Sequence, residues 1–277
     1  MRLSVFCHSS LLTKRPCFFP PSLLRSSRHL PFVFLVLAMP LATMAQEAPV
    51  QPANGTALVG QVLAAFSGGH AIHQVTLSGN VTWHAGSLED SGPVALTAST
   101  DGQFQATFQL SRGQRQEAQA GSGANAACTW TGSDGTVHSV DLTNCLKPAV
   151  WFLPAISLQT ALLSNSLVAS DWGQGAVGGD GVYRHLQIQL QLGGQEQTLT
   201  DVTAQSITDF GLDSTTLLPA VLAYKVHPDS GTQIPIAIEV RYSDYHNIDG
   251  VNIPFSIQRY VNNSVQLEIV VSSVHIN

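Results

Sequence analysis

Three segments near the end of the chain alternate apolar and polar residues with a period of two. Their apolar positions are Ile236, Ile238, Val240 and Tyr242, then Ile253, Phe255 and Ile257, then Leu267, Ile269 and Val271. This period turns one face of a strand inward and the other to water, so the pattern predicts a three-stranded antiparallel meander. A loop from Asn247 to Gly250 sets Tyr242 opposite Phe255 and Val240 opposite Ile257. A loop from Val261 to Asn263 sets Ile257 opposite Leu267 and Phe255 opposite Ile269. Both choices keep apolar residues facing apolar ones, which a one-residue slip would not. Arg259 interrupts the apolar face near its rim, opposite Ile238 and Val265. It has two readings: contact with the head group of a ligand, or a long side chain reaching out to water.

Upstream, Leu58, Val59, Val62, Leu63 and Phe66 form one helical stripe, with Thr56 as its cap and Gly68-Gly69 as its stop. A strand follows from Ile72 to Trp83, with Gly79 as a bulge position. Val94, Leu96 and Ala98 then face Phe104, Ala106 and Phe108 across a three-residue loop, Thr100-Asp101-Gly102. Ser111 to Ala127 has few apolar anchors, and Cys128 to Cys145 brackets a hairpin around Ser133-Asp134-Gly135. Lys147 to Asn165 is strongly apolar, but Pro154 lacks an N–H, which predicts a turn and then a helix. WGQGAVGGDG, from Trp172 to Gly181, reads as a loop. Strands are expected at Tyr183 to Leu192, Gln197 to Asp209 and Leu217 to Val226. About ten strands and two helical pieces make an α+β chain dominated by antiparallel sheet.

The first 45 residues change this picture. They hold five of the twelve basic residues, no acid, and an apolar run from Leu30 to Leu41 that ends in Ala-Thr-Met-Ala. This reads as a secretory signal peptide over 1–45, too short in its apolar run to span a membrane. Residues 46–55 are expected to be a flexible linker, and 56–277 one domain with an insertion at about 111–145. Beyond the leader, seven bases stand against eighteen acids, a net charge of −11. That surface disfavours nucleic acid and anionic membrane surfaces as partners, and no nucleic-acid partner is expected. Two cysteines remain, Cys128 and Cys145. In an exported chain they predict one disulfide, worth roughly 3 kcal/mol for such a loop; two buried free thiols are the alternative.

Candidate chemistry is sparse. Gly173-Gln174-Gly175-Ala176-Val177-Gly178 spells the dinucleotide fingerprint, but no helix follows to face a pyrophosphate, so a loop is expected. His70 and His73 at a helix-to-strand junction, with His84 further on, fall short of a metal ligand set. Asp244 and Asp249 read as strand-end and turn residues. No Gly-x-Ser-x-Gly elbow is present. No catalytic residue, metal or cofactor is expected.

LDSTTLLPAVLAYKV, with Asp213, Thr216 and Pro219, and YSDYHNIDGVNIPFSIQRYV, with Tyr242, Asp244, Tyr245, Asp249, Gly250 and Pro254, resemble paired signatures of the LolA-like periplasmic proteins. The helix ALVGQVLAAF is similar to the opening of that family. The resemblance implies a curved antiparallel sheet that forms an incomplete, half-open β-barrel, one or two helices across its concave face, and an apolar cavity for acyl chains. It covers roughly Thr56 to Trp83 and Leu186 to Asn277, and the segment Ser111 to Cys145 has no counterpart in it. Lipoprotein carriers of the family latch their lid with a basic residue, whereas this chain has none between the leader and Arg112. Cavity-lining candidates are Trp83, Phe104, Phe108, Trp151, Phe152, Leu163, Tyr242, Phe255, Ile257 and Arg259. Two functions follow: an exported, non-enzymatic carrier or sensor for a hydrophobic small molecule or acyl chain, or a cell-envelope interaction domain with a fully packed barrel and a protein partner.

Overall fold

The computed structural model describes residues 51–147, 150–163, 167–179, 181–191, 202–228 and 234–277. The expected leader, the linker as far as residue 50, and the first part of the strand expected from Gln197 lie outside the described residues.

Two meanders make one open sheet. The first is β2 (Gln74–Ala85), β3 (Leu88–Ser99), β4 (Phe104–Leu110), β5 (Gly113–Ala120), β6 (Ala127–Thr131) and β7 (Val137–Val140). The second is β8 (Leu167–Ala176), β9 (Val182–Leu190), β10 (Thr208–Leu212), β11 (Pro219–Val226), β12 (Ile236–Ile248), β13 (Val251–Val261) and β14 (Ser264–Ile276). They join where β14 pairs with β2, and a two-residue strand, β1 (Ala53–Asn54), extends the far edge by pairing with β8. Every pairing is antiparallel, and the end strands β1 and β7 are not bonded to each other.

This strand order forces two long crossovers, and each carries a helix. α1 (Thr56–Ser67) returns from the β8 edge to β2, and α3 (Pro154–Leu163) carries the chain from the β7 end to β8. Val59, Val62 and Phe66 of α1, with Ile156 and Leu158 of α3, are buried against inward residues of the sheet such as Leu77, Phe108, Phe210, Leu222, Val240 and Ile257. α3 begins at Pro154, where a missing N–H costs a helix nothing. The α1 stripe and the Gly68 stop match the sequence pattern, with Gly68 left-handed at φ 59°. Thr56 is the first helical residue and not the cap; Asn54 Oδ1 accepts its N–H at 2.9 Å.

The terminal meander forms with the expected faces but a shifted register. Both connections are two-residue turns with both central residues at positive φ: Asp249 (51°) with Gly250 (87°), and Asn262 (47°) with Asn263 (65°). Such turns match the right-handed twist of paired strands, which is why they are the favoured two-residue hairpin connections. Tyr242 therefore faces Ile257, not Phe255, and Val240 faces Arg259. In the second hairpin a bulge at Arg259/Tyr260 absorbs the odd residue, so Ile257 faces Ile269 and Arg259 faces Leu267. Both shifts are of two residues, which preserves parity and hence the buried set. Arg259, however, moves from the rim to the interior.

Other elements depart from expectation for equally local reasons. The β3–β4 hairpin has the expected pairs, Val94 with Phe108, Leu96 with Ala106 and Ala98 with Phe104, around a left-handed Gly102. The irregularity near Gly79 lies on β14: Gly79 faces Val271, Ser78 faces Ser273, and a Cβ on Gly79 would sit 2.1 Å from the Val270 carbonyl oxygen. The Trp172–Ala176 stretch, expected as loop, belongs to β8, because pairing with β9 outweighs its glycine content. Ala53 and Asn54, expected within a flexible linker, pair with Asp171 and Ser170.

Candidate functional site

The inward face of β5 carries Arg115, Glu117 and Gln119, which face Phe108, Ala106 and Phe104 across the ladder. On the other side Glu117 pairs with Trp130 of β6 and Gln119 with Cys128. The chain after β7 forms a single helical turn, α2 (Leu142–Cys145), tied to β6 by the Cys128–Cys145 disulfide, with a Cα separation of 5.4 Å. The disulfide confirms the cysteine pairing. α2 reaches across the concavity to β11 without joining its ladder. Asn144 Nδ2 donates to the His227 carbonyl at 2.6 Å, and the His227 N–H donates back to Asn144 Oδ1 at 2.9 Å. The Lys147 ammonium donates to the Lys225 carbonyl.

This arm and the β11–β13 wall border a half-open cavity of about 340 Å3. Its apolar lining comes from Phe104, Trp130, Val140, Trp151, Tyr224 and Val226, and the disulfide forms part of the wall. Its polar groups are Glu117, Thr129, Asn144, Lys147 and Arg259. The volume falls within the ~300–1,000 Å3 of small-molecule pockets. Trp130 stacks on His138 with centroids 4.0 Å apart, and is 40% exposed at the margin.

A closed ionic group forms the floor. Arg259 donates from both terminal nitrogens to Glu117, at 3.0 and 2.8 Å, and from Nε to Gln266 Oε1 at 2.7 Å. Trp151 Nε1 donates to Glu117 Oε2 at 2.9 Å, and the guanidinium lies 4.4 Å from the Trp151 ring centre, a cation–π distance. Burial pushes the Glu117 carboxyl up, but the charge and hydrogen bonds of Arg259 outweigh it and leave the group below its usual range. Burial likewise opposes the Arg259 charge, and Glu117 more than restores it. Tyr224 stands beside the pair with its phenol pushed up by burial. Lys147 is 3% exposed, and burial, helped by Lys225, pushes its ammonium down to about 8.

Of the residues expected to line a cavity, Phe104, Trp151 and Arg259 meet at this one. Phe108, Phe152, Tyr242 and Ile257 are packed in the core, and the Tyr242 hydroxyl donates to the Trp151 carbonyl. Trp83 is half-buried, edge-on to Phe108. Phe255 is half-buried and stacks on His246 at 4.2 Å. Leu163 is a correction: it ends α3 at 69% exposure and faces solvent. The readings of Arg259 as a rim residue, meeting a head group or reaching to water, are also corrected, because Glu117 occupies its donors and its side chain is 8% exposed.

Glu117, Tyr224 and Lys147 were not singled out by sequence. β5 is polar on both faces, QRQEAQA, so periodicity assigns it no inside. The available signal was that Glu117 is the sole acid between Asp101 and Asp134, and Arg259 the sole base after Arg241.

The remaining motifs serve the fold. Gly173–Gly178 runs from strand β8 into the connection to β9, with no helix. His84 faces two different carboxylates, Glu268 at 3.2 Å and Glu89 at 3.9 Å, and among the described residues no cluster suited to a metal forms. Asp213 Oδ1 accepts the N–H groups of Thr215 and Thr216, which fixes the turn before β11. The Tyr245 hydroxyl donates to the Pro219 carbonyl at 2.7 Å, linking the two sequence signatures in space. Among the described residues no helix is long and apolar enough to cross a membrane.

No protein-family model matches the sequence, and no curated protein matches it. Solved structures do match. An outer membrane lipoprotein-sorting protein domain, so described, from Vibrio parahaemolyticus is 9% identical, with 79% of this chain and 91% of the other covered at a TM-score of 0.50. A LolA superfamily protein from Nitrosomonas europaea is 10% identical, with 81% and 94% covered and a TM-score of 0.50. A DUF1329 family protein from Desulfovibrio piger gives the same figures. The chain therefore has a LolA-like fold, an open antiparallel barrel with helices across its concave face.

Proposed function

We propose that this protein is an exported, non-enzymatic binding protein that holds an amphiphile, its acyl chain against Phe104, Trp130, Trp151 and Val226. The observation that carries this reading is the 340 Å3 cavity, walled by aromatic and aliphatic side chains from both meanders. Its relatives in fold include a domain described as lipoprotein-sorting, which agrees with a role at the cell envelope. Burial of an acyl chain contributes about 0.8 kcal/mol per methylene, so a chain of moderate length suffices for micromolar binding. The test is native mass spectrometry of the purified protein, with displacement of an environment-sensitive dye by dodecyl amphiphiles. Co-purified or added amphiphile at one per protein is expected. No uptake of dye or amphiphile, with a crystal structure whose cavity is filled by side chains, would overturn the reading.

A protein partner is the second reading. It is favoured by the edge position of β7, which has no strand on its far side among the described residues and where Val137 is 64% exposed. Crosslinking from position 137 in cells is expected to trap a single envelope protein under this reading, and no product under the first.

A further inference from the structure

A buried lysine on the cavity wall narrows its ligand. We propose, resting on the binding reading above, that the cavity takes an amphiphile with one anionic head group, carboxylate or phosphate, and that Lys147 receives it.

Downstream of the leader the chain has only two lysines, Lys147 and Lys225. Lys147 lines the cavity, and its ammonium lies against the backbone carbonyl of Lys225, whose own side chain is exposed on the opposite face of β11, with His227 two residues further along the same strand end. Burial and then the charge of Lys225 make the Lys147 ammonium costlier to hold, and burial with both lysines does the same for His227. The 3% exposure of Lys147 removes most of the water that would otherwise screen it. An ammonium has three protons to donate; among the described residues one goes to a carbonyl and no carboxylate approaches to form an ion pair.

The other charges that face the cavity do not supply the missing anion. Glu117 is engaged by both terminal nitrogens of Arg259 and by Trp151, so the pair is neutral and closed. Tyr224, beside it, is held as the neutral phenol. The cavity therefore has an apolar body, a neutral floor and one uncompensated positive charge. A carboxylate or phosphate on an acyl chain completes that set with a charge-assisted hydrogen bond. A neutral head group leaves Lys147 as it is, and a cationic one adds repulsion from Lys147.

The test is dye displacement at pH 7 by four ligands of one chain length: dodecanoate, dodecyl phosphate, dodecanol and dodecyltrimethylammonium. The wild type is expected to bind at least one of the two anions tenfold or more tighter than dodecanol, and the cation most weakly. The two anionic arms separate a fatty-acid-like from a phospholipid-like head group. Lys147→Met is expected to abolish the preference, bringing the anions to the level at which that variant binds dodecanol, whereas Lys147→Arg keeps the preference. Equal wild-type affinity for dodecanol and both anions, or equal loss of all ligands in Lys147→Met, would overturn the head-group assignment while leaving amphiphile binding intact. Failure of all four ligands to bind the wild type would overturn the binding reading itself. Circular dichroism of both variants separates loss of binding from loss of fold.

Discussion

Removal of one partner of the Glu117–Arg259 pair is predicted to be costly, and the two partners are predicted to be unequal. In Glu117→Leu the guanidinium keeps Gln266 and the face of Trp151 but loses both bonds from its terminal nitrogens, with 8% of its side chain exposed. Arg cannot release its proton in a protein, so the charge remains. Breaking a buried pair costs about 3–5 kcal/mol. The 26% exposure of the Glu117 side chain lets some water reach the vacated space, which favours the lower end, about 3 kcal/mol. For a unit of this size that lowers Tm by ~6–12 °C.

Arg259→Met is predicted to cost less at acidic pH, because the stranded carboxyl can take up a proton. In the wild type Glu117 lies below its unfolded value, so its contribution is present above that value and is lost as pH falls. In Arg259→Met burial acts alone, the folded value rises above the unfolded ~4.3, and stability is regained as pH falls from 7 towards 5. The double variant Glu117→Leu/Arg259→Met leaves no charge behind and is expected within ~1 kcal/mol of wild type. Urea unfolding followed by tryptophan fluorescence at pH 7 and pH 5 measures all four proteins. A loss below ~1 kcal/mol in Glu117→Leu, or the same pH slope in wild type and Arg259→Met, would refute the reasoning.

Three further outcomes are expected. Reduction of Cys128–Cys145, which closes a loop of sequence separation 17, should cost roughly 3 kcal/mol and loosen the α2 arm; urea midpoints with and without reductant, against a Cys128→Ala/Cys145→Ala protein insensitive to reductant, check this. Lys147→Met should be more stable than wild type at pH 7, with the difference shrinking between pH 8 and about 10.4: the folded ammonium sits near 8, so the penalty for charging it disappears as the unfolded state also loses its proton. A gap that widens with pH would contradict the sign. Gly79→Val should lose several kcal/mol, on the order of a severe overpacking mutation, since its Cβ would fall 2.1 Å from the Val270 carbonyl oxygen; a thermal melt near wild type would show that β14 can yield there.

Parity made much of the fold legible. The faces of the terminal meander, the α1 stripe, the β3–β4 pairs and the start of α3 at Pro154 all rest on periodicity or on the chemistry of one residue, and these act locally. Register was less accessible, because shifts of two residues leave every face unchanged and only turn length separates them. Asp249-Gly250 and Asn262-Asn263 are both strong two-residue turn pairs, and giving them that weight would have placed Arg259 inside. The site was the least legible part. Glu117 lies on a strand without hydrophobic alternation, and Lys147 becomes interior only because α2 folds back over the concavity. Both depend on contacts between distant segments, which leave no local trace.

The seam between β14 and β2 sets the order in which the molecule can assemble. His84 and Glu268, bonded across it, lie 184 residues apart, while within each meander most strands pair with their immediate neighbour in the chain. Local hairpins close early and the seam closes last. As the chain is made, the free edge of β2 has no partner until the final strand emerges, a long interval in which it can recruit strands from other chains. Loss of the last thirteen residues of the ladder, Ser264–Ile276, would therefore not trim the barrel but cut it in two. At high concentration, exchange of β14 between two copies would satisfy both edges and give a strand-swapped dimer.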